Sequence, residues 1–168
     1  MFKIRGFATG LVLLALAATA GAQKKATSAA EQADETAIRD YVLTMPKVQA
    51  YAAASKEMAA ARKDPALAAE AKRLEADDKA SMLEKVRMIE TSCPHIDAWI
   101  RQHGMTPREF LLTPMTLMTV GFAELAKQQG GKVPDFISPA NLQFYEQHKA
   151  EIEKLDIKAD EESGDTSQ

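Results

Sequence analysis

The sequence predicts an all-α fold, an irregular helical bundle of five to seven helices with one central buried helix. Three observations predict it. Apolar residues recur at spacings of three and four through most of residues 34–155. Alanine is abundant, and β-branched residues never alternate over the length of a strand. No Asn-Gly or Asp-Gly pair offers a hairpin turn. The 168 residues, 46% hydrophobic and 27% charged, have the composition of one ordinary globular domain. One Cys and three His exclude an intrachain disulfide framework and a Cys-rich structural zinc site.

Both ends of the chain differ from its middle. Lys3 and Arg5 make a short basic start, residues 11–18 are apolar, and Ala20, Gly21 and Ala22 are the small residues that a signal peptidase accepts. The apolar run falls short of the roughly 20 residues that span a bilayer. Residues 1–22 therefore read as a signal peptide cleaved near Ala22, sending the product to the periplasm or outside the cell with no membrane span in the mature protein. Arg5 stands alone and no Cys lies near the cut, so neither a twin-arginine route nor a lipoprotein anchor is indicated. Residues 23–33 read as a flexible leader, 34–155 as the helical domain, and 156–168 as a disordered acidic tail. Without Lys3 and Arg5 the net charge moves from −3 to −5, and the tail holds most of it. The nearly neutral body offers no basic footprint for nucleic acid.

The helices follow in order. The first is expected from about Asp34, with Ile38, Tyr41, Val42 and Met45 on one stripe that continues through Val48 and Ala52; Pro46 should kink it or divide it in two. Asp64-Pro65 is a strong start, an acceptor cap followed by proline in the first turn. The stripe of Leu67, Ala71 and Leu74 and that of Met82, Val86 and Ile89 are separated by Asp77-Asp78, which leaves one long helix or two short ones. Cys93-Pro94 ends that stretch. Ile96, Trp99, Ile100 and His103 then mark a short helix that Gly104 stops. Thr106-Pro107-Arg108-Glu109 is a capping box with proline in the first turn. Residues 110–126 carry Glu124 as their only charge and almost no polar side, which predicts the central helix, kinked at Pro114. On that reading Phe122→Ala costs about 3–5 kcal/mol and Thr106→Ala roughly 0.5–2 kcal/mol. Gly130-Gly131 ends this helix, and Ser138-Pro139 starts a last one that runs to about Leu155.

Chemistry-bearing motifs are few. The chain has no phosphate-cradling Gly-rich loop, no Gly-x-Ser-x-Gly elbow, no His-Glu-x-x-His helix and no Cys-x-x-Cys-His haem attachment site. Asn141, Tyr145 and His148 share one face of the last helix. They would line a ligand pocket, or Asn141 would finish the Ser138 cap while the other two reach the rim. His95 and His103 lie about 80° apart around their helix and make no i, i+4 metal pair, so a metal or haem site would need His148 brought in by folding. Cys93 would be a buried inert thiol or an intermolecular disulfide in an oxidising compartment. Glu124 falls on nearly the face of Thr113, a solvent edge unless the carboxylate is buried. Met105, Met115 and Met118 read as core filler on different faces, with a Met-lined copper or apolar-ligand site as the sharper alternative.

The run Gly-Met-Thr-Pro-Arg-Glu-Phe at 104–110, the apolar helix after it, and Ser-Pro-Ala-Asn-Leu-Gln-Phe-Tyr at 138–145 with its Lys/Glu-rich continuation resemble a family of small exported all-helical proteins of Gram-negative bacteria. The likeness covers about 38–155. It implies export and an all-α fold, and carries no activity, cofactor or catalytic residue. The leading expectation is a non-enzymatic module that takes a small apolar ligand or a protein partner in a groove beside the central helix or on the face of Asn141, Tyr145 and His148, with Glu124 nearby. No cofactor is expected. One alternative is a metal or haem binder using His95, His103 and His148. Another is an enzyme with a perturbed carboxylate, Glu124 or Glu109, facing a cleft.

Overall fold

The computed structural model describes residues 28–134, 136–155 and 157. The signal segment, the first part of the leader and the acidic tail except Ile157 lie outside the described residues. Among those described there are seven helices and no strand: α1 (Ala29–Asp40), α2 (Met45–Ala61), α3 (Pro65–Ala76), α4 (Met82–Ser92), α5 (Pro94–Gln102), α6 (Pro107–Gln128) and α7 (Pro139–Lys154). The all-α class therefore holds, with α6 at the centre of the bundle against α1, α2, α4, α5 and α7. No helix among the described residues is long and apolar enough to cross a membrane.

Local chemistry sets most of the helix starts. Asp64 accepts the amides of Ala66 and Leu67, and Thr106 and Glu109 close the box at the start of α6. Ser138 accepts the Asn141 amide at the start of α7. Two boxes were not anticipated, Ser28 with Glu31 and Ser81 with Glu84. The first starts α1 at Ala29, five residues ahead of the expected start near Asp34, so residues 29–33 are helix rather than leader. The second settles the middle of the chain as two helices, α3 and α4. Pro46 falls in the first turn of α2, where its missing donor costs nothing, and the chain is extended at Tyr41 and Thr44 before it. Leaving the helix there turns Val42 outward, 60% exposed, off the stripe on which it was expected. Gly104, at φ +74°, ends the α5 segment in the left-handed region that glycine enters without strain.

Three polar side chains then fasten segments far apart in sequence. Asp34 of α1 accepts the amides of Met82 and Leu83, the first turn of α4, at 2.7 and 3.0 Å. Glu70 of α3 does the same for the first turn of α5, where Cys93 makes no side-chain cap. Asn141 of α7 donates to the Tyr41 carbonyl at 2.6 Å and accepts the Leu43 amide at 2.9 Å, holding the link between α1 and α2. Each satisfies backbone groups that a helix end or an extended link would otherwise bury unpaired.

The core forms two clusters. The larger joins Ala37, Tyr41, Leu43, Val48, Leu112, Leu117, Val120, Ala123, Ile137 and Ile152. Ile157, the one larger apolar side chain of the acidic segment, packs half-buried against it. The smaller centres on Ile89, Ile100 and Met105, with Tyr51, Leu74, Trp99 and Phe110 around them. Helix α6 continues unbroken through Pro114. Its burial differs from expectation: Leu112, Thr113, Thr116, Leu117, Val120 and Ala123 face inward, whereas Met115, Met118, Phe122 and Leu125 face out. A helix apolar all round has more apolar side chains than its neighbours cover, so Phe122, 65% exposed, does not anchor the core as its place in the sequence predicts.

Candidate functional site

The smaller cluster does not close. Beside it lies an apolar groove of about 290 Å³ between α2, α3, α5 and the first turns of α6. Met58 and Ala61 form one wall, Leu67, Ala71 and Leu74 the opposite one, and Ile89, Ile96, Trp99, Phe110 and Leu111 the rest. Among the described residues, the charged side chains on it are Arg62 and Glu75. The sequence places these residues here because the stripe of α3 faces the stripe of α5, two short helices too small to fill the space between them and α2.

The aromatic side of the groove is held in a fixed arrangement. Trp99 and Phe110 meet edge to face with centroids 5.8 Å apart, and Tyr51 tilts against Phe110 at 5.6 Å. His103 stacks on Trp99 at 4.5 Å. Its Nδ1 donates to the Trp99 carbonyl at 2.8 Å, and its Nε2 lies 3.2 Å from Glu57 Oε2 of α2. This histidine ties α5 to α2.

Glu70 sets the position of α3 against α5. It is almost wholly buried, with Oε1 accepting from His95 Nδ1 at 2.8 Å and Oε2 from the Ile96 amide at 2.9 Å; Arg73 stands 3.7 Å away. Burial alone would raise its carboxyl, but the His95 ring and the amides of Ile96 and His95 outweigh that and hold it below the ordinary value of 4.5. Burial, together with the Glu70 charge, pushes the neighbouring Cys93 thiol up. Cys93 is thus a buried free thiol, away from the surface an intermolecular disulfide would need. Glu70 was missed from sequence, since its partners are 25 and 26 residues away.

The other anticipated residues are dispersed. Asn141 is buried and spent on the 41–43 link, and the space beside it, between Thr116 and Ile137, leaves no cavity volume. Tyr145 packs half-buried against the larger cluster, and its hydroxyl lies against the backbone of Gly121. His148 stacks on Phe144 at 4.7 Å and lies 3.4 Å from Glu151 Oε2. Each of the three histidines thus has a different carboxylate neighbour, and among the described residues no group of three or more His, Cys, Asp or Glu is arranged to hold a metal ion. Met105 is buried as expected, but Met115 and Met118 are exposed rather than buried.

Neither carboxylate of the enzyme alternative lines the groove. Glu109 is held low by the Thr106 amide that it caps, against its partial burial, with Lys47 at 3.7 Å. Glu124 does not share a solvent edge with Thr113: the threonine is fully buried, its hydroxyl 2.8 Å from that of Tyr41. One Glu124 oxygen accepts from Gln128, and the other is sealed from solvent with no hydrogen-bond partner among the described residues.

No family model matches the chain, and no curated protein or solved structure matches it either.

Proposed function

We propose that this is an exported, non-enzymatic binding protein that holds a small apolar ligand in the groove between α2, α3, α5 and α6. Export rests on the basic start, apolar run and small-residue cut site of residues 1–22, together with the likeness to small exported helical proteins. Binding rests on one observation, a concave space of about 290 Å³ walled almost wholly by apolar and aromatic side chains. That is the usual make-up of a small-molecule site, near the lower end of its size range. It suits a ligand of one or two rings or a short branched chain, buried by its apolar body and open at the Arg62 and Glu75 rim. The nearly neutral body gives no reason to expect nucleic acid.

Trp99 is the only tryptophan and lies in the groove wall, so its emission reports occupancy directly. Titration with a naphthalene probe is expected to shift or quench that emission to saturation. Ala71→Phe, which fills the groove from the α3 side, is expected to weaken the response about tenfold or more by removing the apolar area offered to the probe. Emission that never moves, or a response unchanged in Ala71→Phe, overturns the groove as the site.

A further inference from the structure

We propose that the open face of α6 is the interface of a two-fold symmetric dimer, in which α6 lies antiparallel against α6 of a second copy of this chain. The proposal stands apart from the groove and does not depend on it. Met115, Met118, Phe122 and Leu125 form one exposed stripe on the central helix, 38%, 50%, 65% and 50% exposed. Phe136, 46% exposed, extends the patch across an apolar pocket of about 380 Å³ that it shares with Phe122. An apolar patch of about 300–600 Å² is the largest that a typical monomer carries and is often a contact surface.

The sequence of the stripe says what covers it. Its spacings of three, four and three residues follow the a/d alternation by which two helices interlock side chains. They also read the same in both directions. Antiparallel pairing about an axis at Val120 therefore sets Met118 against Phe122 of the second copy and Met115 against its Leu125. A two-fold interface requires such a patch, complementary to itself.

Charge agrees. The α6 positions flanking the stripe are Pro114, Thr119, Gly121, Ala126 and Gln128, none of them charged, and of the described residues lining the pocket at Phe122 and Phe136, Lys132 alone carries a charge, so like charges at the stripe itself do not oppose a second copy. Thr119 turns its hydroxyl back to donate to the Met115 carbonyl at 2.6 Å, so its polar hydrogen is already used within the helix. Lys127 is drawn away to Glu146 of α7, and Glu124 to Gln128.

The area fixes the strength. If a fully buried aromatic removes about 150–250 Å² from water, these five partly exposed side chains offer roughly 500 Å² per copy. Two copies then bury about 1,000 Å², the lower bound of a specific interface. The dimer is accordingly weak and forms with concentration.

Sedimentation velocity over a concentration series, on the protein as purified from cells, is expected to show monomer passing to dimer. Phe122→Glu and Met118→Glu are expected to weaken association about tenfold or more, since each would bury an unpaired carboxylate. Both residues are exposed in the monomer, so unchanged circular dichroism is expected alongside. Cysteine pairing supplies the orientation. Thr119→Cys, beside the axis, is expected to cross-link with itself. Met115→Cys and Leu125→Cys are expected to cross-link when mixed but not separately, because each lies roughly 15 Å along the helix from its own counterpart. Cys93 is too deeply buried to interfere. A protein that stays monomeric throughout overturns the proposal, and so does self-cross-linking of Met115→Cys or Leu125→Cys alone.

Discussion

Polar side chains finish the larger cluster where it meets the link between α1 and α2, whereas the smaller cluster reaches the surface as apolar side chains that stop short of one another. In the first, Asn141 and the Tyr41–Thr113 hydroxyl pair bridge segments about 70 to 100 residues apart and leave no cavity beside them. In the second, side chains from α2 to α6 supply the walls, and the polar ties are few: Glu70 joins α3 to α5, and His103 joins α5 to α2. The difference teaches where a small bundle has room for a ligand. Buried hydrogen bonds fix distance and direction and so demand close approach. Apolar contact tolerates a gap, at the cost of the lost dispersion. The polar residue of the last helix that looked most like a site, Asn141, seals the fold, and the proposed site lies where polar residues are scarce.

The largest expected effect breaks the sealed region. Asn141→Ala leaves the Tyr41 carbonyl and the Leu43 amide buried without partners, which should cost about 2–4 kcal/mol in urea denaturation. The same variant should keep the Trp99 response to the naphthalene probe wherever it remains folded. A cost under about 1 kcal/mol would mean that the amide does not hold the link in the way its two bonds suggest.

Glu70→Gln probes the groove side and should cost less, roughly 1–3 kcal/mol, because the amide side chain still accepts a hydrogen bond but loses the charge that the His95 ring and the α5 amides favour. The sign of its pH dependence follows from the direction of its shift. Folding lowers the Glu70 carboxyl below its ordinary 4.5, so the folded state holds that proton more weakly than the unfolded one. Its contribution is complete above about pH 4.5 and is lost as pH falls through the lower folded value. Arg73, 3.7 Å away, also faces the carboxylate and favours its charged form. Denaturation of the wild type should therefore lose stability through that acidic window, and Glu70→Gln should lose less. Parallel pH curves for the two proteins would remove Glu70 from the acid response.

How much of this could be read beforehand follows from sequence distance. Asp64-Pro65, Thr106 with Glu109, Ser138-Pro139 and Gly104 announce helix ends because the cap and the capped amides are within four residues of each other. Ser28 with Glu31 and Ser81 with Glu84 carry the same signal, and heeding it would have placed both helix starts. Asp34, Glu70 and Asn141 cap groups 25 to about 100 residues away, and no local pattern marks an Asp, Glu or Asn for that work. The sequence points to a groove beside the central helix or to the face of Asn141, Tyr145 and His148, and neither reading gives the walls on α3 and α5, which depend on how closely those two helices approach. The three histidines gave no hint that each would find a separate carboxylate.

The smallest expected effect concerns α6, where periodicity fails for a definite reason. A hydrophobic stripe tells which way a helix faces only if the rest of the helix is polar, and residues 110–126 have almost no polar side to read against. The threonines make this plain: Thr113 and Thr116 point inward while Met118 and Phe122 point out. Phe122→Ala should accordingly change the stability of the monomer by no more than about 0.5 kcal/mol, the ordinary range for a surface substitution. Thr106→Ala, which removes the side-chain cap at the start of the same helix, should cost roughly 0.5–2 kcal/mol. Measured at low protein concentration, the cap variant should therefore be the less stable of the two. At high concentration the order should close or reverse, because only Phe122→Ala also removes contacts between copies and dimerisation adds to the apparent stability of whichever chain can still associate. A Phe122→Ala loss of several kcal/mol at low concentration would return that ring to the core and leave α6 with no open face.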